Sequence, residues 1–241
     1  PQKFVDATEI AGRLTADVAA DLGLNAGTPV IAGGVDVGAA NIGMGVFEPG
    51  RYVAAIGSSM NAALVSEKPI KGKGLIVWPY PYKSRELVYN FSGSATAGAI
   101  TKWFRDNFGD AEVAVHNQGG PNAYVTLGAE AKNVPAGSRG LVVLPYFMGE
   151  RAPIWNSDAK GMIFGLSLVH TKADLFHAFQ EAVCYALRHS MESTGRDLGD
   201  YIVIAGGVTN SPDWVQMFAD VTGYAVRTPV DDAEANLGDV M

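Results

Sequence analysis

Residues 201–223 read YIVIAGGVTNSPDWVQMFADVTG, and this stretch decides the fold class. The apolar, β-prone run 201–205 suits a buried strand. Gly206-Gly207 ends it. Ser211 then offers an N-cap, Pro212 takes the first helical position, and Gly223 closes a helix over 212–222. Residues 224–227 (YAVR) follow as a further strand. A strand that turns through glycines into a helix, then meets another strand, is the unit of an α/β layer fold.

The pattern extends in both directions from there. Residues 172–194 place Phe176, Phe179, Val183, Leu187 and Met191 at helical spacing, with Thr171 as N-cap, Asp174 three residues on, and Gly195 as stop. Residues 96–108 form a second amphipathic helix with Ile100, Trp103, Phe104 and Phe108 on one face, ended by Gly109. Short apolar runs at 29–35, 51–57, 60–65, 86–91, 140–145 and 162–166 are set off by Gly, Pro or Ser and read as buried strands.

Composition narrows the function. The chain has 241 residues, 48% of them hydrophobic, with 18 basic against 25 acidic side chains and a net charge of -7. It lacks the basic footprint of a general nucleic-acid binder. No apolar run reaches membrane-spanning length. One cysteine, Cys184, excludes an internal disulfide framework and a multi-cysteine metal site. The expectation is a cytoplasmic protein. The chain starts without Met and stops in mid-pattern, so a piece of a longer protein is expected.

Several common sites are absent. There is no P-loop, no G-x-G-x-x-G, no H-E-x-x-H and no G-x-S-x-G, and the four histidines have no partner at zinc spacing. What remains is three glycine-rich turns, each directly after an apolar strand. The first is Gly33-Gly34-Val35-Asp36-Val37-Gly38, whose lone carboxylate reads either as a turn or helix cap or as a general base. The second is Gly57-Ser58-Ser59, either an ordinary hairpin turn or a cradle of amides and hydroxyls for an anion. The third is Gly206-Gly207-Val208-Thr209-Asn210, where bare backbone and a helix N-terminus suit a nucleotide but also any tight strand-to-helix loop. Together they favour nucleotide phosphotransfer without settling it.

Residues 145–166 (PYFMGERAPIWNSDAKGMIFGL), with Asp174-Leu175, Ala178 and Glu181 beyond, closely resemble the signature region of the FGGY carbohydrate kinases. So do the opening Thr8-Glu9-Ile10, Gly12, Leu14-Thr15 and Gly27-Thr28-Pro29-Val30, then Gly33-Gly34-Val35-Asp36, Ser92-Gly93-Ser94-Ala95, Gly98 and Gly206-Gly207. The resemblance implies an actin-like ATPase (ribonuclease H-like) domain, a mixed sheet flanked by helices. It divides the chain into a connecting lead-in at 1–28 and a C-terminal nucleotide-binding domain at 29–241. On this resemblance an N-terminal sugar-binding domain is expected to be missing and the last helix, at Glu234–Gly238, to be truncated.

The resemblance also implies roles and ligands. Asp36 matches the family's catalytic base, Gly57, Ser58 and Ser59 its phosphate turn, and Gly98, Gly206, Gly207 and Asn210 its nucleotide contacts. ATP and Mg2+ are the implied cofactors, with no metal ligands from the protein. A small sugar and the missing N-terminal domain are the implied partners, and the exposed cleft surface makes a homodimer an expectation. Val37 stands where many relatives carry Gln, Ser58 where Thr is usual, and Phe179 and Gln180 break the strict signature. Pentulose kinases, xylulose kinase above all, are the nearest in character, and Asn41-Ile42-Gly43 also has the flavour of gluconate kinases. A non-catalytic actin-like nucleotide-binding module and a dinucleotide-dependent oxidoreductase are the competing classes, the latter opposed by its missing fingerprint.

Overall fold

The computed structural model describes residues 5–71, 74–195, 198–230 and 237–238. A mixed sheet of six strands forms its centre: β3 (Tyr52–Ile56), β4 (Met60–Ser66), β5 (Ile76–Pro79), β6 (Val88–Ser92), β9 (Tyr201–Ala205) and β10 (Ala225–Arg227), in the order β10-β9-β3-β4-β6-β5. β3, β4, β6 and β5 pair antiparallel, while β9 lies parallel to β3 and β10 parallel to β9. An antiparallel run of strands, extended beyond β3 by the parallel strands β9 and β10, is the actin-like, ribonuclease H-like sheet that the resemblance implies.

Alternation along the strands sends side chains to two cores. On one face, Tyr52, Ala54, Ile56, Leu64, Ile202 and Ile204 pack under α3 (Gly98–Phe108), α6 (Lys172–Thr194) and α7 (Pro212–Thr222). On the other, Val53, Ala63, Val65, Tyr89, Val203 and Ala205 pack against Ala40 and Ile42 of α2 (Asp36–Gly43). The sheet is therefore covered on both sides, as its continuous apolar strands require.

The capped helices form as the sequence predicts. The Thr171 hydroxyl accepts from Asp174 N and the Asp174 carboxylate accepts from the Thr171 backbone, a full capping box, and Gly195 ends α6 at φ 61. Phe176, Phe179, Val183, Leu187 and Met191 are all buried. The Ser211 hydroxyl caps α7 and Gly223 ends it at φ 78. In α3 the predicted face is only half covered. Ile100 and Phe104 are buried, but Trp103 and Phe108 stay 39% and 49% exposed, with Trp103 stacked on Phe179 at 6.0 Å.

Other expectations change. The run 29–35 does not form a buried strand. Only β2 (Pro29–Ile31) is extended; it is exposed and pairs with β1 (Ile10–Arg13) in a separate two-stranded sheet. Gly33 at φ 74 turns the chain out of the strand, and α2 begins three residues later. The lead-in also carries α1 (Ala16–Leu22). Beyond α3 lie α4 (Asp110–Asn117) and α5 (Ala123–Ala131), which the sequence reading left unassigned. The runs 140–145 and 162–166 shorten to β7 (Val142–Leu144) and β8 (Met162–Phe164), paired antiparallel outside the main sheet. Of the final helix, Leu237 and Gly238 are helical, and the remainder lies outside the described residues. A Cβ on Gly238 would lie 1.7 Å from the carbonyl oxygen of Ala39, so Gly238 itself rests directly on α2.

A buried polar network braces the entry to β7. Ser138 and Arg139 hold positive φ values of 44 and 56, a conformation that non-glycine residues avoid. Glu181 Oε1 accepts from Gly137 N at 2.6 Å, and Oε2 accepts from the Ser138 hydroxyl at 2.7 Å, which also meets His177 Nδ1 at 2.8 Å. Burial pushes the Glu181 carboxyl up, but contacts with His177, Ser138 and Gly137 outweigh it and hold the group below its usual range. The network therefore stabilises the fold above the ordinary carboxylate range, and that contribution is lost as pH falls through the lowered value. Glu181→Ala would strand the donors of Gly137 and Ser138 and is expected to cost about 3 kcal/mol, a fall in Tm of roughly 10 °C. An unchanged melting curve would show that the turn holds itself.

Candidate active site

Gly57, Gly98 and Gly206 meet at the carboxyl ends of β3 and β9, which the parallel register places side by side. A Cβ on Gly98 would lie 2.6 Å from the Gly57 carbonyl oxygen, and one on Gly206 would lie 2.5 Å from that of Ile56. Backbone packs on backbone here, which only glycine permits. Gly206 has φ 94 and ψ -174, a region closed to other residues.

The turn at 57–59 is seated on α3. Ala97 N and Ala99 N donate to the Ser58 carbonyl at 2.8 and 3.1 Å, and Gly98 N donates to that of Gly57 at 2.8 Å. The first amides of the helix, which no residue within it can satisfy, are thus capped by the turn. Gly57 N is also engaged, donating to the Ser59 carbonyl at 3.0 Å. Among the described residues, the Ser58 and Ser59 amides and hydroxyls form no hydrogen bond, and Ser58 is exposed. The free donors of the predicted phosphate turn are therefore the two serines, while Gly57 and Gly98 shape it.

Across from the turn, Gly207–Asn210 forms a 3-10 turn between β9 and α7. Gly207 and Asn210 are exposed, and a Cβ on Gly207 would meet nothing within 4 Å. The Thr209 amide and hydroxyl both donate to the Gly206 carbonyl, at 3.0 and 2.9 Å, which fixes the loop. The result is an open ledge of bare backbone, with Ser58 and Ser59 on one side and Gly207 and Asn210 on the other. Ligands of open α/β sheets bind at such carboxyl ends, where the strand order reverses.

Asp36 makes none of these contacts. It is the first residue of α2, on the opposite face of the sheet from α3, and it is exposed. Its Oδ1 accepts from Val37 N at 2.7 Å, and no other hydrogen bond engages it among the described residues. Its charge reaches Tyr89, whose buried phenol is held well above its usual range by desolvation first and by Asp36 second. Added Cβ atoms on Gly34 and Gly38 would lie 2.8 and 2.6 Å from Pro81, so the glycines around Asp36 let the 80–82 loop close on α2. Val37 packs against the second core.

Glu150, inside the 145–166 signature, is a positioning residue that no sequence pattern marks. It is buried, accepts from the Ser94 hydroxyl at 2.7 Å, Ala95 N at 3.0 Å and Arg151 N at 2.6 Å, and so ties the signature segment to the loop that starts α3. In that loop a Cβ on Gly93 would lie 2.1 Å from the Met60 carbonyl oxygen, and the Ser94 carbonyl accepts from Met60 N at 3.0 Å. Glu150 thereby holds the loop that packs on Met60, at the start of β4. Phe179, the departure within the signature helix, fills an aromatic cluster with Phe104 and Phe147. Among the described residues, no group of three or more His, Cys, Asp or Glu side chains is arranged to hold a metal ion.

Residues 53–241 match the family model for the C-terminal domain of the FGGY family of carbohydrate kinases. The chain belongs to this family. It is 30% identical to a gluconokinase of Bacillus subtilis (strain 168) over 244 residues, which takes in 98% of this chain and 46% of the relative. It is 33% identical to an autoinducer-2 kinase of Yersinia enterocolitica, over 95% of this chain and 44% of the relative. Its fold superimposes on the crystal structure of xylulose kinase from Rhodospirillum rubrum with a TM-score of 0.83 at 28% identity, over 98% of this chain and 46% of that one. This FGGY chain thus spans about half the length of the curated relatives it matches. No helix among the described residues is long and apolar enough to cross a membrane.

Proposed function

We propose that this FGGY chain is the nucleotide-binding part of an ATP-dependent sugar kinase that phosphorylates a hydroxyl of a pentulose such as xylulose. Residues 29–241 form the nucleotide lobe, 1–28 lead into it, and an N-terminal domain supplies the sugar contacts. The observation that carries this reading is that Ser58-Ser59, with free donors, and Gly207, with bare backbone, follow the adjacent carboxyl ends of β3 and β9. A ledge of this kind suits a flat base with phosphates attached.

In this reading the amides and hydroxyls of Ser58 and Ser59 hold phosphate oxygens. Gly207 lets the nucleoside lie against the backbone, and Asn210 offers its amide to it. Gly98 and Gly206 keep the two sides at contact distance. The exposed Asp36 carboxylate takes the proton of the acceptor hydroxyl as it attacks. Magnesium, arriving with ATP, would neutralise phosphate charge.

A gluconate-type acceptor is the second reading, favoured by the gluconokinase relative at 30% identity and by Asn41, buried on α2 with an unpartnered Nδ2. The test is a panel of pentuloses, gluconate and polyols with ATP and magnesium on the full-length protein. Sugar-dependent ADP release with a pentulose supports the first reading and with gluconate the second. ADP binding without turnover on any acceptor would leave a non-catalytic nucleotide module. The 241-residue chain alone is expected to bind ADP near the millimolar level, about −4 kcal/mol, and to phosphorylate nothing. Sugar phosphate made by it alone would overturn the division of the site between two domains.

A further inference from the structure

We infer that the outer face of the β7–β8 hairpin, with the turn that follows it, is the surface through which the full-length protein pairs with a second copy of itself. The register sets Val142 opposite Phe164, Val143 opposite Ile163 and Leu144 opposite Met162. Side chains alternate between the two faces of such a pair. Val143 and Ile163 turn inward to the first core, which α6 also builds. Val142, Leu144, Met162 and Phe164 are left on the other face, and all four are apolar. An antiparallel pair with one face in water ordinarily carries polar residues there.

The apolar surface continues past β8. Gly165 packs on the segment before β7, since an added Cβ would lie 2.5 Å from the Gly140 carbonyl oxygen. The turn at 167–170 is tied to the same place. Ser167 N donates to His170 Nδ1 at 3.0 Å, and His170 Nε2 meets the Arg139 carbonyl at 3.3 Å. Leu166, Leu168 and Val169 are thus held beside the Val142–Phe164 end of the hairpin. No charged residue occurs in 140–148 or in 161–169. The lysines and glutamates that usually keep exposed strands from pairing are missing here.

The area fits a dimer. Exposure runs from 49% at Val142 through 68% at Phe164 to complete at Leu168. With Met162, Leu166 and Val169, these side chains present roughly 700 Å². That exceeds the ~300–600 Å² of the largest apolar patch on a typical monomer. It is close to the ~800 Å² that each partner gives to a standard stable interface. An uncharged face offers an unlike partner no charge to be steered by, but it matches itself about a twofold axis. The N-terminal domain proposed above enters elsewhere. It joins through the lead-in, where Asp6 pairs with Arg85 at 2.8 Å. Arg85 lies on the loop that closes on α2, in the second core, whereas the hairpin is built on the first.

The test is sedimentation velocity of the full-length protein over a range of about 1–50 μM. Wild type is expected to be a dimer across most of that range. Phe164→Glu sets like charges against each other within the uncharged face, and Leu168→Lys does the same with the opposite sign. Each should raise the dimer dissociation constant about 100-fold or more. Both side chains are open to solvent in the single chain, so the variants should melt within about 2 °C of wild type at a dilution that dissociates it. A wild-type protein that stays monomeric at the highest concentration, or a dimer that survives both substitutions, would overturn the proposal. A monomeric wild type whose Phe164→Glu variant melts far below it would also overturn it, and would assign the face to the N-terminal domain.

Discussion

Asp36→Asn in the full-length protein is expected to lower sugar-dependent turnover about 100-fold or more, the scale of a lost general base, while leaving ADP affinity within about twofold. The two effects separate because Asp36 opens α2, while the proposed nucleotide contacts lie on the turn after β3 and the loop after β9. The substitution is conservative for the fold. Asp36 is exposed, and an Asn Oδ1 in its place can still accept from Val37 N. The loss of a negative charge near the start of α2 removes a helix-dipole contribution of about 0.5 kcal/mol, too little to unfold the domain. Steady-state rates with the best acceptor of the panel, beside ADP titration of both proteins, measure the split. Near-normal turnover would reduce Asp36 to a helix-start residue. A parallel fall in ADP affinity would mean that it shapes the ledge.

Local chemistry explains what could be read from the chain. α6 and α7 were legible because their start and stop signals, Thr171, Ser211, Pro212, Gly195 and Gly223, act within a few residues of themselves. α2 was not, because Gly38, Ala39 and Ala40 give it no apolar stripe. These small residues are buried against neighbours distant in sequence, and Gly38 closes on Pro81. The exposure of β2 was equally hidden. An apolar run of three residues looks the same whether it enters the main sheet or pairs at the surface with Ile10–Arg13.

The same limit applies to the site. The glycine turns were visible as turns, and their residues as candidates by resemblance. What was hidden is that Gly98 packs on Gly57 and Gly206 on Ile56, since these contacts join segments roughly forty and one hundred and fifty positions apart. Glu150 stood inside a quoted signature, but its task became visible only once Ser94 and Ala95 were placed against it.

Gly206 and Gly207 are adjacent in sequence and should respond in opposite ways to a side chain. Gly206→Ala is expected to destabilise the domain by about 3 kcal/mol or more, since it combines a glycine-only backbone region with a steric clash. The clash is with main chain: the new Cβ would lie 2.5 Å from the carbonyl oxygen of Ile56, in the centre of the sheet, where no side chain can swing aside. The melting temperature should fall, and nucleotide binding with it. Gly207 carries neither constraint. Its φ is not positive and open space surrounds it, so Gly207→Val should leave the melting curve within about 2 °C of wild type. A branched side chain there occupies the space proposed for the nucleoside, and ADP affinity should drop about tenfold or more. Calorimetry with ADP beside thermal unfolding of both variants gives the comparison. A stable Gly207→Val protein with unchanged ADP affinity would remove this loop from the nucleotide site. A Gly206→Ala protein that melts normally would show that the sheet yields where the backbone contact says it cannot.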